Sequence, residues 1–238
     1  MDYIRRGAER GTANFGWLNS HHSFSFGSYY DPQHMGFGVL RVINDDTVAP
    51  GAGFDTHGHR DMEIISYILE GSIEHQDSMG HKNRIDAGEV QRMSAGHGVM
   101  HSEYNASQDD TLRFLQIWIT PNQQGIEPGY EQKVIHQQDK LTELVSADGR
   151  NGSLRLHQDV ILSRLQLDKG ESLSLEVPQR SGYLHIINGT ARVSQRGELL
   201  TLNPADALGC HSVRPLTITA TSHEPLTALW FDLPPVAL

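Results

Sequence analysis

The sequence predicts an all-β protein made of two copies of one β unit. Three observations carry that expectation. Short apolar runs rich in Val, Ile, Leu, Phe, Tyr and Trp recur along the chain at residues 38–43, 63–69, 112–119, 160–167, 183–187, 216–220 and 228–233. Their length and residue types suit strands. Twenty-three glycines and ten prolines punctuate them, with turn signals such as Leu69-Glu70-Gly71-Ser72 and Ile187-Asn188-Gly189-Thr190 between runs. No amphipathic stretch reaches helical length, and only residues 139–145 suggest a short helical turn. The class is therefore sandwich or barrel.

The third observation is an internal repeat. Tyr67-Ile68-Leu69-Glu70-Gly71-Ser72 resembles His185-Ile186-Ile187-Asn188-Gly189-Thr190. A second strand follows each, then a small turn, Ala87-Gly88-Glu89 in one copy and Pro204-Ala205-Asp206 in the other. Each copy closes with a similar strand, Leu115-Gln116-Ile117-Trp118-Ile119-Thr120-Pro121 against Leu229-Trp230-Phe231-Asp232-Leu233-Pro234. The copies are joined around residues 125–151.

Bulk properties narrow the function. The 238 residues are enough for one or two domains with a substantial core. Hydrophobic residues at 37% and charged residues at 20% describe a globular chain. A net charge of -10 repels phosphate backbones and anionic lipid, which argues against direct nucleic-acid binding. One cysteine, Cys210, cannot form an intrachain disulfide, and no nucleophile motif surrounds it, so it reads as a small buried hydrophobe. The charged N-terminus lacks an apolar leader segment, and no apolar run approaches the ~18 residues of a membrane span. The expected location is the cytoplasm and the expected state a monomer.

Among fourteen histidines, one set has ligand spacing. His57 and His59 are two residues apart, so an extended strand points both imidazoles to one face. His101-Ser102-Glu103 repeats the arrangement with a carboxylate. Two such pairs on neighbouring strands could converge on one cation, for which imidazole and carboxylate are suitable donors. Four ligands leave two positions open on an octahedral ion, whereas a closed structural zinc site more often uses cysteines. His21 and His22 are adjacent and face opposite ways. His34, His81, His136, His157, His185, His211 and His223 lack a ligand-spaced partner. His97 lies in a glycine-flanked turn beside the motif.

The segment Gly53-Phe54-Asp55-Thr56-His57-Gly58-His59-Arg60-Asp61-Met62-Glu63, followed by Gly71, resembles the first cupin motif. Ser94-Ala95-Gly96-His97-Gly98-Val99-Met100-His101-Ser102-Glu103-Tyr104-Asn105, after Gly88, is similar to the second. Together with Phe24-Ser25-Phe26, Tyr30-Asp31-Pro32 and the stretch from Leu40 to Asp46, these motifs resemble the pirin branch of the cupins. The likeness is strong over about the first 160 residues and weak beyond. It implies a bicupin, two cupin (double-stranded β-helix, jelly-roll) barrels in one chain. It implies one divalent metal held by His57, His59, His101 and Glu103 in an N-terminal cupin over residues 1–130. A degenerate C-terminal cupin over residues 131–238 would hold no metal. Iron(II) is the metal the resemblance implies, while the ligand set also accepts nickel, copper, manganese or zinc.

Glu63 shares the strand parity of His57 and His59, and ordinary cupins take their carboxylate from about this position. The pirin pattern assigns that role to Glu103 and leaves Glu63 to orient a histidine N–H. In the second unit, the offsets of His57 and His59 from Gly71, fourteen and twelve residues, fall on Leu175 and Val177 when counted from Gly189. Neither binds metal. The resemblance implies a dioxygenase that cleaves flavonols such as quercetin, with O2 as co-substrate and Glu103 as general base. Two other readings remain: a non-enzymatic, metal-dependent regulator acting through a protein partner, and a cupin enzyme with another small-molecule substrate. Phe24, Phe26 and Tyr30 are candidates to reach the pocket.

Overall fold

The computed structural model describes residues 1–235, and its strands form four sheets. Among the described residues only two short 3-10 turns, Gly7–Glu9 and Arg150–Gly152, interrupt them. In the first unit, a seven-stranded sheet runs in spatial order Gly129–Val134, Glu89–Ser94, Glu63–Glu70, Leu112–Ile119, Leu40–Val48, Leu18–His22, Gly11–Asn14. A four-stranded sheet, Gly53–His59, Val99–Asn105, Ser72–Asp77, Lys82–Asp86, packs against its inner face. The second unit repeats the plan. Its seven-stranded order is Tyr3–Arg5, Ala207–Cys210, Ser181–Asn188, Leu226–Leu233, Ile161–Leu167, Leu141–Ser146, Leu154–Arg155. Its four-stranded order is Ser172–Val177, Val213–Ala220, Ala191–Gln195, Glu198–Leu202. The chain is thus all-β, with two jelly-roll units of the cupin kind. The repeated turns match to the backbone angle: Gly71 and Gly189 sit at φ 74° and 76°, where a side chain would be strained. No helix among the described residues is long and apolar enough to cross a membrane.

The two seven-stranded sheets pack back to back, and the largest apolar cluster lies between them. Ile43, Ile65, Leu115 and Ile117 of the first unit meet Leu144, Leu162, Tyr183 and Phe231 of the second. Central strands are therefore buried on both faces, which is why residues 63–69 and 112–119 read as continuous apolar runs instead of alternating ones. Burying each such side chain contributes ~1.5–3 kcal/mol.

The units also exchange their ends. Tyr3–Arg5 pairs with Ala207–Cys210, so the first strand of the chain closes the second unit. Gly129–Val134 pairs with Glu89–Ser94 and closes the first. The expected division at residue 130 runs through that closing strand. Residues 139–145 also depart from expectation. Leu141–Ser146 is a strand bonded to Ile161–Leu167, because Leu144 and Val145 bury against the inter-unit layer and tertiary packing overrides weak local propensity.

Inside the second unit one continuous cluster fills the space between sheets, including Leu175, Leu184, Leu208, Leu216, Ile218 and Trp230. Cys210 is buried within it, and burial pushes its thiol up to about 11. Inside the first unit the apolar residues divide into two smaller clusters, one around Ile73 and Phe114 and one around Ile64 and Met93. The gap between them is polar.

His185 lies buried on the inter-unit face. Burial, and then the nearby Arg10 charge, pushes its pKa down to about 4. The unfolded chain takes up this proton near the ordinary value of 6.5, but the folded chain refuses it until about 4. Stability contributed by the neutral ring is thus complete above the unfolded value and falls as pH drops through that window. Thermal unfolding followed from neutral pH to about pH 4 should show the loss. His185→Phe should lessen it by up to about 3 kcal/mol.

Candidate metal centre

The inner face of the first seven-stranded sheet carries a polar row. His22, Asn44, Gln116, Ser66 and Gln91 stand opposite one another on five successive strands, and all five are buried. Antiparallel register aligns residues across strands, so one polar residue per strand at the same level makes a continuous band. Val42, Trp118, Ile64 and Met93 form the next row on one side. Ser20, Asp46, Phe114 and Ile68 form the next on the other.

Buried polar groups need partners, and the four-stranded sheet supplies them. Gln116 Nε2 donates to Glu103 Oε2 at 2.9 Å, and the Ser66 hydroxyl donates to Glu103 Oε1 at 3.2 Å. Gln91 Nε2 donates to His75 Nδ1 at 3.3 Å, and His75 Nε2 donates to Asp77 Oδ2 at 3.1 Å. His22 Nδ1 donates to Asn44 Oδ1 at 2.8 Å.

Gly53–His59 and Val99–Asn105 lie side by side with His57 opposite His101. A bulge between His101 and Glu103 shifts the register so that Glu103 faces Phe54. Gly53 lets the strands close there, because a Cβ on it would lie 2.4 Å from the Glu103 carbonyl oxygen. The donor atoms of His57, His59 and His101 lie within 4.8 Å of one another, and those of His75, His101 and Glu103 do the same. His57 Nδ1 is 2.7 Å from the Asp55 carbonyl. A carbonyl only accepts, so Nδ1 carries the proton and Nε2 keeps its lone pair. That Nε2 faces His101 Nε2 at 3.1 Å. Burial, and then the neighbouring imidazoles, pushes His59 down to about 4 and His101 down to about 3. Both rings are neutral at neutral pH. Three convergent imidazoles beside a carboxylate fit a divalent transition metal. His75 fits poorly as a ligand, since both of its nitrogens are engaged.

These residues open on a cavity of about 250 Å³ lined by His57, His59, Glu103, Phe26, Phe54 and Trp118, among others. Trp118 stands edge-on to both His59 and Phe26, with ring centres 5.0 and 5.3 Å apart. Asp46 shares the wall. Burial pushes its carboxyl up to about 7, against the pull of the Ser20 hydroxyl that donates to it.

The structure groups the donor atoms of His57, His59 and His101, and places Glu103 with His101 and His75 in a second group that shares only His101 with the first. Glu63 is elsewhere. The turn at residues 60–62, with Asp61 at φ 48°, carries the chain into the other sheet and ends the parity that linked Glu63 to His59. Glu63 accepts from the Ser94 hydroxyl at 2.9 Å and pairs with His157 Nδ1 at 3.2 Å. It orients a histidine, but one from the second unit's side of the chain. His97 pairs with Glu127 in solvent. Of the three aromatic candidates Phe26 lines the cavity, Phe24 is buried in the inter-unit layer and Tyr30 is exposed. His75, Ser66, Gln116 and Ser20 escaped the sequence reading, which set His22 aside as a ligand and took Asn44 and Asp46 only as part of a motif. Polar residues at alternate positions within strongly apolar or β-rich runs were the available signal.

A family model described as Pirin matches residues 5–119, and one described as Quercetinase C-terminal cupin domain matches residues 143–233. The chain is 46% identical over 237 residues to a protein of Escherichia coli (strain K12) named quercetin 2,3-dioxygenase, covering 99% of this chain and 100% of that one. It is 41% identical over 221 residues to a pirin-like protein of Caulobacter vibrioides, covering 91% and 93%. Among solved structures it resembles the bacterial pirin YhhW of Escherichia coli in complex with nickel(II), with TM-score 0.92, 45% identity and coverage of 98% and 99%.

Glu63 and His101 should separate cleanly by substitution. Glu63→Gln weakens the bonds to Ser94 and His157 and should lower stability in urea by about 2 kcal/mol. Its metal content after dialysis should equal that of the unsubstituted protein. His101→Ala should lose the metal.

Proposed function

The chain belongs to the pirin family of cupins, and on that footing we propose that it is a metal-dependent dioxygenase that cleaves flavonols such as quercetin. The observation that carries this reading is the cavity wall itself: His57, His59 and the Glu103 carboxylate, with His101 converging on the two imidazoles, share it with the aromatic faces of Phe26, Phe54 and Trp118. A planar aromatic molecule fits between such aromatic faces. The names of the relatives support the same reaction.

His57, His59, His101 and Glu103 would hold the metal, with iron(II) as the proposed ion and nickel the one bound in YhhW. When bound, the metal supplies Lewis acidity toward an enol oxygen and the redox chemistry that dioxygen requires. The protein's residues do the rest. The Asp55 carbonyl fixes the tautomer of His57, and the edge of Trp118 sets the plane of His59. Gln116 and Ser66 each donate to one oxygen of Glu103 and hold the carboxylate against the cavity. Lone pairs remain on both oxygens, so Glu103 can take the proton of the substrate's hydroxyl as it ionises. Phe26 and Phe54 exclude water from the ring.

The test purifies the protein without chelators, measures its metal, and follows quercetin absorbance and dissolved oxygen together. Oxygen uptake should track quercetin loss. Glu103→Gln should lower kcat by about 10²–10⁴-fold, and His101→Ala should abolish both metal and turnover. Bound metal without oxygen-coupled loss of quercetin would defeat the flavonol reading and leave the metal centre to another small molecule.

A further inference from the structure

The cavity beside the histidines continues past Phe26. A second compartment of about 240 Å³ shares Phe26, Asn44, Asp46 and Phe54 with the first. Its other walls differ in kind. Phe15 and Leu18 make an apolar side, while Ser20 and His22 stand opposite Asp46 and Asn44 across the strand pair. Each of these four polar residues is buried.

Asp46 is the unusual member. It is only 4% exposed, yet its Oδ1 has no hydrogen-bond partner among the described residues. Leaving a buried carboxyl oxygen unpaired costs about 1–3 kcal/mol, and unsatisfied polar groups of this kind are found where a ligand completes the bonding. Ser20 already donates to the carboxyl. Asn44 is occupied by His22. The free acceptor capacity at the junction of the two compartments therefore belongs to Asp46. A carboxyl offers an acceptor oxygen whether or not it is ionised.

We propose that the second compartment is a subsite for a hydroxylated ring of the substrate and that Asp46 recognises a ring hydroxyl there. The proposal rests on the flavonol reading in one respect, that the reacting oxygen lies beside Glu103 in the first compartment. Two compartments of similar size separated by an aromatic edge match a flat molecule of two linked ring systems. Phe26, tilted against His22 at 5.5 Å and edge-on to Trp118 at 5.3 Å, gives that molecule a surface to stack on. A donor on the ring would meet Asp46, so Asp46 selects for hydroxylated rings over bare ones.

Calorimetric titration of the metal-loaded protein without oxygen tests this apart from turnover. The probes are quercetin and 3-hydroxyflavone, which keeps the reacting hydroxyl and lacks the others. The unsubstituted protein should favour quercetin. Asp46→Leu should reduce that preference about tenfold, and Asp46→Asn, whose amide carbonyl still accepts, should hold it within about threefold. An unchanged preference in a folded, metal-loaded Asp46→Leu protein overturns the assignment. Ala13→Trp intrudes on the compartment from the strand that faces Ser20, and should weaken both flavones about tenfold or more. Undiminished affinity for both would sink the subsite even if Asp46→Leu failed to fold. Selective binding without oxygen-coupled turnover would end the dioxygenase reading and leave the subsite standing.

Discussion

A band of buried side-chain polar groups across the first seven-stranded sheet is the constraint on which the rest of the site depends. His22, Asn44, Gln116, Ser66 and Gln91 occupy positions that apolar side chains would otherwise fill. Each unpaired group there would cost about 1–3 kcal/mol. Glu103 and His75 descend from the opposite sheet to meet them. That contact sets the height and orientation of Glu103 before any metal binds. It also splits the apolar filling into two clusters and leaves room between them.

The second unit shows what the same fold does without the band. By strand register, Gln116, Ser66 and Gln91 correspond to Trp230, Leu184 and Leu208, and the pair His57/His101 corresponds to Leu175/Leu216. All of these second-unit residues join one continuous core. Identical sheet order therefore yields a polar cavity in one copy and a packed interior in the other. The difference is one of side-chain chemistry at a few inward positions, since the backbone pairing of the central strands is shared.

The second unit still matters to the first. The back-to-back sheets make the outer face of the strands that carry Asn44, Gln116, Ser66 and Gln91 an internal face, and a sheet packed on both sides has little freedom to shift. The exchanged end strands, Tyr3–Arg5 and Gly129–Val134, tie the units further. Asp45 and Asp46 illustrate the division of labour between the two faces. Asp45 turns toward the inter-unit side, where burial would raise its pKa but a two-bond pairing with Arg113 holds it low. Asp46 turns inward, lacks a basic partner, and is pushed up to about 7 by burial.

Much of the fold was legible in the chain. Strand positions, the repeated turn at Gly71 and Gly189, and the same-face pairs His57/His59 and His101/Glu103 follow from local stereochemistry and a period of two. Those rules act between neighbours in sequence and need nothing else. Across a break in the strand they fail, as at residues 60–62, where a left-handed Asp61 sends Glu63 into another sheet and toward His157. The strand Leu141–Ser146, the exchange of ends, the polar band and the compartment at Asp46 were decided by tertiary structure. Each depends on which strands become neighbours and in what register, and that pairing is set by burial summed over the whole chain.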